Sequence, residues 1–154
     1  MENHTRQQAD ELFENGDVEE LYQLIEPFLA AKDPYAQLLY SSFSLERLNE
    51  SDEQFEARSA ALLAEASEGG LGEASYRLGV LYLYGDSPDS QKSNDYFERA
   101  IAQGHSHTKF TYGFNLYYGV NSSAREKLRG RQLIEQAAQE GVQAALDELK
   151  LIQN

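Results

Sequence analysis

The chain has 154 residues, of which 41% are hydrophobic and 11% aromatic, and it contains no cysteine. That aromatic content argues against a disordered chain, and no apolar run reaches the roughly twenty residues that a transmembrane helix requires. Without cysteine, disulfides, thiolate catalysis and cysteine-ligated metals are excluded. The first residues lack the basic and apolar regions of a signal peptide, so we expect a cytoplasmic protein.

The formal net charge of −13 is distributed unevenly along the chain. Residues 1–70 hold 16 acidic and 4 basic side chains, whereas residues 71–154 hold 10 acidic and 9 basic ones. An acidic N-terminal half repels nucleic acid and anionic lipid, and it attracts basic proteins. We therefore expect no nucleic-acid or membrane partner and consider a basic protein partner, while solubility alone also accounts for acidic surfaces.

Apolar residues recur at helical spacing along most of the chain, and no alternating β-strand pattern competes with them. Taken in order, the predicted helices cover residues 5–14, 18–29, 35–43, 55–67, 73–84, 94–103, 107–118, 128–140 and 143–152. Pro27 is expected to kink or restart the second helix, and Asp33 followed by Pro34 is a favourable start for the third. Glycines are expected to end the later helices, at positions 69–70, 85, 104, 119 and 141.

Two segments of the chain repeat one another at an offset of 34 residues. The first runs from Ala74 to Gly85 and the second from Thr108 to Gly119, and each is followed by a helical pattern that ends in Ala-x-x-x-Gly. A period near 34 is typical of stacked helix–turn–helix units. We therefore predict an all-α fold, a right-handed α-solenoid of about four helix pairs with a C-terminal capping helix.

The repeated residues follow the pattern Ala-x-x-x-Leu-Gly-x-x-Tyr-x-x-Gly, then a loop, then a helix with paired aromatics and Ala-x-x-x-Gly. The matching positions are Ala74, Leu78, Gly79, Tyr82, Gly85, Tyr96, Phe97, Ala100 and Gly104 in the first unit, and Gly113, Gly119, Ala137 and Gly141 in the second. This pattern resembles the Sel-one-like repeat family, a branch of the tetratricopeptide superfamily, although Ser93 and Thr108 replace alanines. The resemblance implies one domain with a divergent helix pair at 1–33, a degenerate repeat at 34–70, repeats at 71–104 and 105–141, and a capping helix at 142–154.

Glycine lies in the middle of two predicted helices, at Gly79 and Gly113. At such a position glycine costs about 1 kcal/mol relative to alanine. Close approach of the paired helix is the simplest compensation. We therefore expect larger side chains at these two positions to disrupt packing.

Residues with catalytic or ligating chemistry are few. His105 and His107 are the only closely spaced histidines, and zinc would need two further ligands. Adjacent carboxylates such as Glu19 and Glu20 lie on exposed helix turns, whereas acid–base catalysis requires a carboxyl group in a desolvating cleft. The serines at 122–123 suit a helix N-cap better than a nucleophile. We expect no enzyme activity, no metal and no cofactor.

The one basic cluster consists of Arg125, Lys127, Arg129 and Arg131. Four cations in a chain of net charge −13 are a weak signature of nucleic-acid binding. A solvated loop and helix start explains them, and pairing with the acidic half of a second molecule is the alternative.

An aromatic groove is implied by the resemblance, because the first helix of each tetratricopeptide-like unit lines a concave surface. If Leu78, Gly79 and Tyr82 form the packed face, the concave positions lie on the neighbouring face and recur 34 residues later. The predicted partner-binding residues are Tyr76, Val80, Tyr84, Phe110, Phe114, Tyr117 and Tyr118. Exposed aromatic side chains are effective binding anchors. Packing in the core is an equal alternative for the rings at positions 76 and 110.

The sequence therefore predicts a protein–protein interaction module of adaptor or chaperone type, which binds a protein or peptide in the aromatic groove. The alternative is a bacterial inhibitor or immunity-type protein that covers a basic toxin surface with its acidic N-terminal half. Arrays of this family are similar to some proteins of that kind. The fold alone does not decide between the two functions.

Overall fold

The structure, a computed structural model, describes residues 1–152, and all of their regular secondary structure is helical. The α-helices are α1 (Asn3–Asn15), α2 (Val18–Ala30), α3 (Pro34–Tyr40), α4 (Asp52–Glu68), α5 (Gly72–Tyr84), α6 (Ser90–Ala102), α7 (Ser106–Tyr118), α8 (Ala124–Gln139) and α9 (Gln143–Ile152). A turn of 3-10 helix, Glu46–Leu48, lies between α3 and α4. The all-α prediction is confirmed. The last two positions of the predicted capping segment, 153 and 154, lie outside the described residues.

Consecutive helices pack as pairs, α1 with α2, α3 with α4, α5 with α6 and α7 with α8, and α9 packs on α8. Neighbouring pairs contact each other through α2 and α3, α4 and α5, and α6 and α7. Within the described range, the buried apolar residues form four clusters along the array instead of one central core. Each pair thus buries its apolar face against a neighbour, as in a solenoid. The boundaries of the individual units stay a prediction.

Side-chain caps fix where several helices begin. The carboxylate of Asp33 accepts hydrogen bonds from the backbone N–H groups of Tyr35 and Ala36, at 2.9 and 3.0 Å, which confirms the predicted start of α3. Ser123 caps α8 in a capping box, as its position in the sequence indicated. α8 nevertheless begins at residue 124 instead of 128, and α6 begins at 90 instead of 94, because the caps precede polar first turns that apolar spacing does not mark.

The predicted restart at Pro27 is wrong. α2 continues through this proline to Ala30. Pro27 lies in the last turn of the helix, where its missing N–H removes only one backbone hydrogen bond. The buried side chains of Leu21 and Ile25 on the same helix pack into the first core cluster and hold α2 in place.

α3 is shorter than predicted and ends at Tyr40 instead of near residue 43. The hydroxyls of Ser41 and Ser42 donate hydrogen bonds to the carbonyl of Leu38, at 2.6 and 3.3 Å, and so terminate the helix. The segment that follows is not a simple polar connection, because Leu45 is buried in the first core cluster.

Arg58 on α4 holds the segment after α3 in place. Its guanidinium donates to the backbone carbonyls of Tyr40 and Phe43, at 2.7 and 2.9 Å. It also forms a two-pronged ion pair with Glu50, in which both nitrogen–oxygen distances are 2.8 Å. The guanidinium lies over the ring of Tyr40, with its carbon 4.0 Å from the ring centroid. Arg58 thereby satisfies carbonyl groups that the shortened helix leaves without intrahelical partners.

Close approach between paired helices explains the mid-helix glycines. A Cβ atom at Gly79 would lie 2.6 Å from the ring of buried Phe97, and one at Gly113 would lie 2.8 Å from the carbonyl oxygen of Gly130. The sequence did not single out Gly130, which completes the contact between α7 and α8. Ser93 donates a hydrogen bond to the Gly79 carbonyl at 2.7 Å, so its hydroxyl has a specific role where the repeat pattern has alanine.

The predicted glycine stops coincide with helix ends, for two different physical reasons. Gly104 and Gly141 follow α6 and α8 with φ angles of +82° and +90°, the left-handed region that favours glycine. Gly85 and Gly119 follow α5 and α7 without a positive φ, and a Cβ at either would collide with nearby oxygens. In the part of the chain that the structure describes, no helix is long and apolar enough to cross a membrane.

Candidate functional site

The seven predicted binding residues fall into an exposed set and a half-buried set. Tyr84, Phe114 and Tyr118 are 77%, 38% and 47% exposed. The half-buried residues are Tyr76, Val80, Phe110 and Tyr117. All three exposed rings lie in the C-terminal halves of α5 and α7, the first helices of neighbouring pairs.

The three exposed rings meet at one cleft of about 500 Å³, which we call the aromatic cleft. Its lining residues are Leu83, Tyr84, Asn94, Phe97, Tyr112, Phe114, Asn115, Leu116, Tyr118, Gly119 and Val120. The end of α5, the middle of α6 and the C-terminal half of α7 form its walls. The rings of Phe114 and Tyr118 are in contact, with centroids 4.6 Å apart. Val120, 96% exposed, extends the apolar surface beyond α7.

The half-buried rings lie beside the cleft and support its walls. Tyr76 and Val80 pack against the core cluster that contains Phe97, and the ring of Tyr76 stacks on His105 at 5.2 Å between centroids. None of the four half-buried residues lines the aromatic cleft. Val80 instead lines a second cleft, of about 620 Å³, between α4 and α5.

Two of the half-buried rings contact the exposed ones directly. The centroid of Phe110 lies 6.0 Å from that of Phe114, and the centroid of Tyr117 lies 4.9 Å from that of Tyr118. Phe110 and Tyr117 also pack against the core cluster formed by α8 and α9. They therefore fix the positions of the exposed rings on α7 from below.

No side chain that carries a formal charge at neutral pH lines the aromatic cleft. Two carboxylates next to the cleft, those of Glu148 and Glu98, interact with the hydroxyl groups of the lining tyrosines Tyr118 and Tyr112. The hydrogen bond to Glu148 raises the pKa of Tyr118 to about 12, since it would be lost on ionisation. Burial, together with the nearby carboxylate of Glu98, raises the pKa of Tyr112 to about 12. Both hydroxyls are therefore neutral hydrogen-bonding groups at physiological pH.

Two asparagines in the cleft were missed by the sequence interpretation. Asn94 lies on α6 and Asn115 on α7, and both are exposed. Neither side-chain amide forms a hydrogen bond with any other described residue. The apolar spacing predicts a helix start at position 94, and nothing in the local sequence indicates that α6 and α7 place the two amides at one cleft.

The histidine region forms a structural link between two helix pairs. His105 Nδ1 accepts a hydrogen bond from the backbone N–H of Thr108, and its Nε2–H donates to Glu73 on α5 at 2.8 Å. Glu73 also accepts from Arg77. His105 Nδ1 also lies 2.6 Å from the hydroxyl oxygen of Thr108. The resulting carboxylate–imidazole–hydroxyl chain resembles a catalytic arrangement, but Thr108 is fully buried and out of reach of a substrate. Among the described residues, no group of histidine and acidic side chains is placed to bind a metal ion.

Acidic side chains in the N-terminal half are mostly not neutralised within the protein. Of the 16 acidic residues in 1–70, only three form ion pairs with other described groups. Within the basic cluster, Arg129 pairs with Glu98 and Arg131 with Glu135. The remaining two cations of that cluster, at positions 125 and 127, are exposed. The negative potential of the first half is therefore open to solvent.

Comparison with known proteins bears on the fold. No protein-family model and no curated protein matches the sequence. A crystal structure of a Sel1 repeat protein from Oxalobacter formigenes superimposes on 96% of this chain with a TM-score of 0.73. The chain therefore has the Sel1-repeat fold. This agrees with the resemblance carried by the 34-residue repeat. The two sequences are 21% identical and this chain covers 58% of the other, so the likeness to the Sel1 repeat protein concerns the fold alone.

Proposed function

We propose that this chain is a protein–protein interaction module of adaptor or chaperone type, without enzymatic activity, that binds a protein or peptide segment at the aromatic cleft. The observation that carries the proposal is the convergence of Tyr84, Phe114 and Tyr118 on one cleft. Large rings exposed together mark interaction sites more often than chance would give. Burial of such rings supplies much of the binding energy of protein interfaces.

The seven predicted residues take two roles in this proposal. Tyr84, Phe114 and Tyr118 contact the partner, because they are exposed and line the cleft. The remaining residues, Tyr76, Val80, Phe110 and Tyr117, position the walls from which these rings project. A rigid set of anchors binds with a smaller loss of conformational entropy than a flexible one.

The charge of the molecule favours a partner with basic surface outside the cleft. Thirteen of the 16 acidic residues in 1–70 have no ion-pair partner among the described residues, so their field extends into solvent. Such a field accelerates association with positively charged proteins. The inhibitor alternative rested on this acidity, and no feature of the cleft supports it. We also propose a cytoplasmic location, with which the absence of cysteine is compatible.

A matched pair of variants tests the proposed site. Phe114 in the cleft and Phe13 on α1 are both 38% exposed, and neither belongs to a buried core cluster. We expect Phe114→Ala to weaken binding to a partner recovered by pull-down from the native host about tenfold or more. Phe13→Ala is expected to leave that affinity unchanged. Equal effects of the two variants, measured by isothermal titration calorimetry, would place the binding site elsewhere.

A further inference from the structure

We infer that the aromatic cleft binds an uncharged, extended peptide segment, with one large apolar side chain among the rings and its main chain held by the amides of Asn94 and Asn115. This inference rests on the proposed function and specifies the ligand of the same site. The partner then uses two different parts: an uncharged segment that enters the cleft, and a basic surface that the acidic half attracts.

Because the lining of the cleft carries no formal charge, the cleft favours an uncharged segment. Asp, Glu, Lys and Arg make up 25% of the chain, yet none of them lines the cleft. A charged side chain that entered it would lose hydration without gaining a counterion, which is strongly unfavourable. The carboxylates of Glu98 and Glu148 are already engaged, with Arg129 and with the hydroxyl of Tyr118.

The aromatic rings at the rim of the cleft and the apolar residues deeper in it favour an apolar side chain on the bound peptide. Tyr84, Phe114 and Tyr118 stand at the exposed rim, while the deeper lining includes Phe97 and Leu116. A volume of about 500 Å³ lies within the range of natural ligand clefts. A large aliphatic or aromatic side chain would bury apolar surface against all three rim rings.

The two asparagines match the polar requirement of a peptide main chain. Each peptide unit carries one N–H donor and one C=O acceptor, and leaving them unpaired on burial is costly. A side-chain amide carries both functions. Asn94 and Asn115 project from different helices into the same cleft, and neither has a hydrogen-bond partner among the described residues. They are therefore available to pair with a segment that lies between them.

Other occupants fit the cleft less well. Nucleic-acid bases stack on aromatic rings, but their phosphates require cations, and the lining contains none. A second copy of this chain would bring another net charge of −13 towards the first. An uncharged peptide segment avoids both conflicts.

The probe for this inference is a set of three peptides that differ at one position. Each is N-acetylated and C-amidated, with the sequence Gly-Ser-Gly-Ser-X-Ser-Gly-Ser-Gly and Phe, Lys or Asp at X. In titrations followed by NMR on the isotope-labelled full chain, we expect the Phe peptide to shift the side-chain amide signals of Asn94 and Asn115. The Lys and Asp peptides should bind at least tenfold more weakly.

Asparagine variants test the role of the amides. Each neutral hydrogen bond contributes about 0.5–1.5 kcal/mol, so Asn94→Leu and Asn115→Leu should each weaken binding of the Phe peptide about threefold to tenfold. Asn15→Leu, at the exposed end of α1, is the matched control and should change nothing. Thermal melting of each variant shows whether the fold is retained.

Three outcomes would overturn the inference. They are equal binding of the Lys or Asp peptide, unchanged binding by both cleft asparagine variants, and no signal change with the Phe peptide at about 10 mM. A dimer seen by light scattering and lost in Phe114→Ala would assign the cleft to a second copy. The proposed function fails separately, if the partner protein binds Phe114→Ala as well as it binds the unaltered chain.

Discussion

At the scale of single residues, small side chains determine how closely the paired helices approach. Gly79 lies against the ring of Phe97, and Gly113 and Gly130 lie against each other's backbone. The repeat in the sequence indicated close contact at two of these glycines. It could not indicate Gly130, because the contact depends on how α7 and α8 cross.

Gly79→Leu is expected to lower the free energy of unfolding by about 2 kcal/mol or more, because even a Cβ atom there overlaps the buried Phe97 ring. Ala61→Leu, at an exposed position on α4, is the control and should change stability by less than about 0.5 kcal/mol. Urea unfolding of both variants measures the difference. An unchanged free energy of unfolding for Gly79→Leu would contradict close contact between α5 and α6 at this position.

A hydrogen bond between His105 and Glu73 joins two neighbouring helix pairs. The hydrogen bond from His105 and the ion pair with Arg77 hold the pKa of Glu73 below its usual 4.5, against the opposing effect of burial. The folded state therefore favours the carboxylate. The stabilisation is complete above the ordinary pKa and is lost as the pH falls through the lowered value.

Glu73→Gln should accordingly lower the free energy of unfolding at pH 7 by about 1 kcal/mol. The difference from the unaltered chain should shrink as the pH falls below about 4.5. Urea unfolding at several pH values measures this trend, with Glu53→Gln as an exposed control outside any ion pair. A difference that stays constant down to about pH 3 would mean that Glu73 does not depend on its charge.

At the scale of elements, α3 and the segment after it show where local sequence is insufficient. Apolar spacing predicted every α-helix, but Ser41 and Ser42 end α3 early through hydrogen bonds to Leu38. The conformation after that end depends on Arg58, which lies on the next helix. A side chain that acts across such a distance leaves no periodic signal in the sequence.

Arg58→Met is expected to destabilise the fold by about 2–4 kcal/mol, since it leaves the backbone carbonyls of Tyr40 and Phe43 without their donor and removes the guanidinium that packs on the Tyr40 ring. Arg58→Lys should restore only part of the loss, because one ammonium cannot reproduce the planar fork. Arg47→Met removes an exposed ion pair with Glu19 and should cost less than about 1 kcal/mol. Equal stability losses in the variants at 58 and 47 would contradict this role of Arg58.

The candidate site was predictable only in part, because some of its residues follow the sequence repeat and others do not. The repeat offset relates Tyr84 to Tyr118, so their appearance on corresponding helix ends follows from the sequence. Asn94 and Asn115 have no such relation, and only the packing of α6 on α7 brings both to the cleft. Periodic features were therefore accessible from the sequence, and features that depend on contact between different elements were not.

At the scale of the whole molecule, charge is separated along the array while the cleft is uncharged. The acidic half therefore acts on a partner at long range, whereas the cleft acts only on contact.

Exposed charges are screened beyond roughly 10 Å at 0.1 M salt. The rate of association with the partner should therefore fall as NaCl rises from about 20 to 300 mM, as measured by stopped-flow or surface plasmon resonance. An association rate that does not change with salt would show that the acidic half does not steer the partner.

The exposed rings of the aromatic cleft are the proposed binding anchor. The double variant Tyr84→Ala with Tyr118→Ala tests this role when affinity and unfolding are measured on the same preparation. We predict that partner binding weakens at least about tenfold while the unfolding midpoint stays nearly unchanged, because both rings are exposed. Normal binding, or a large loss of stability that accounts for weaker binding, would contradict this role.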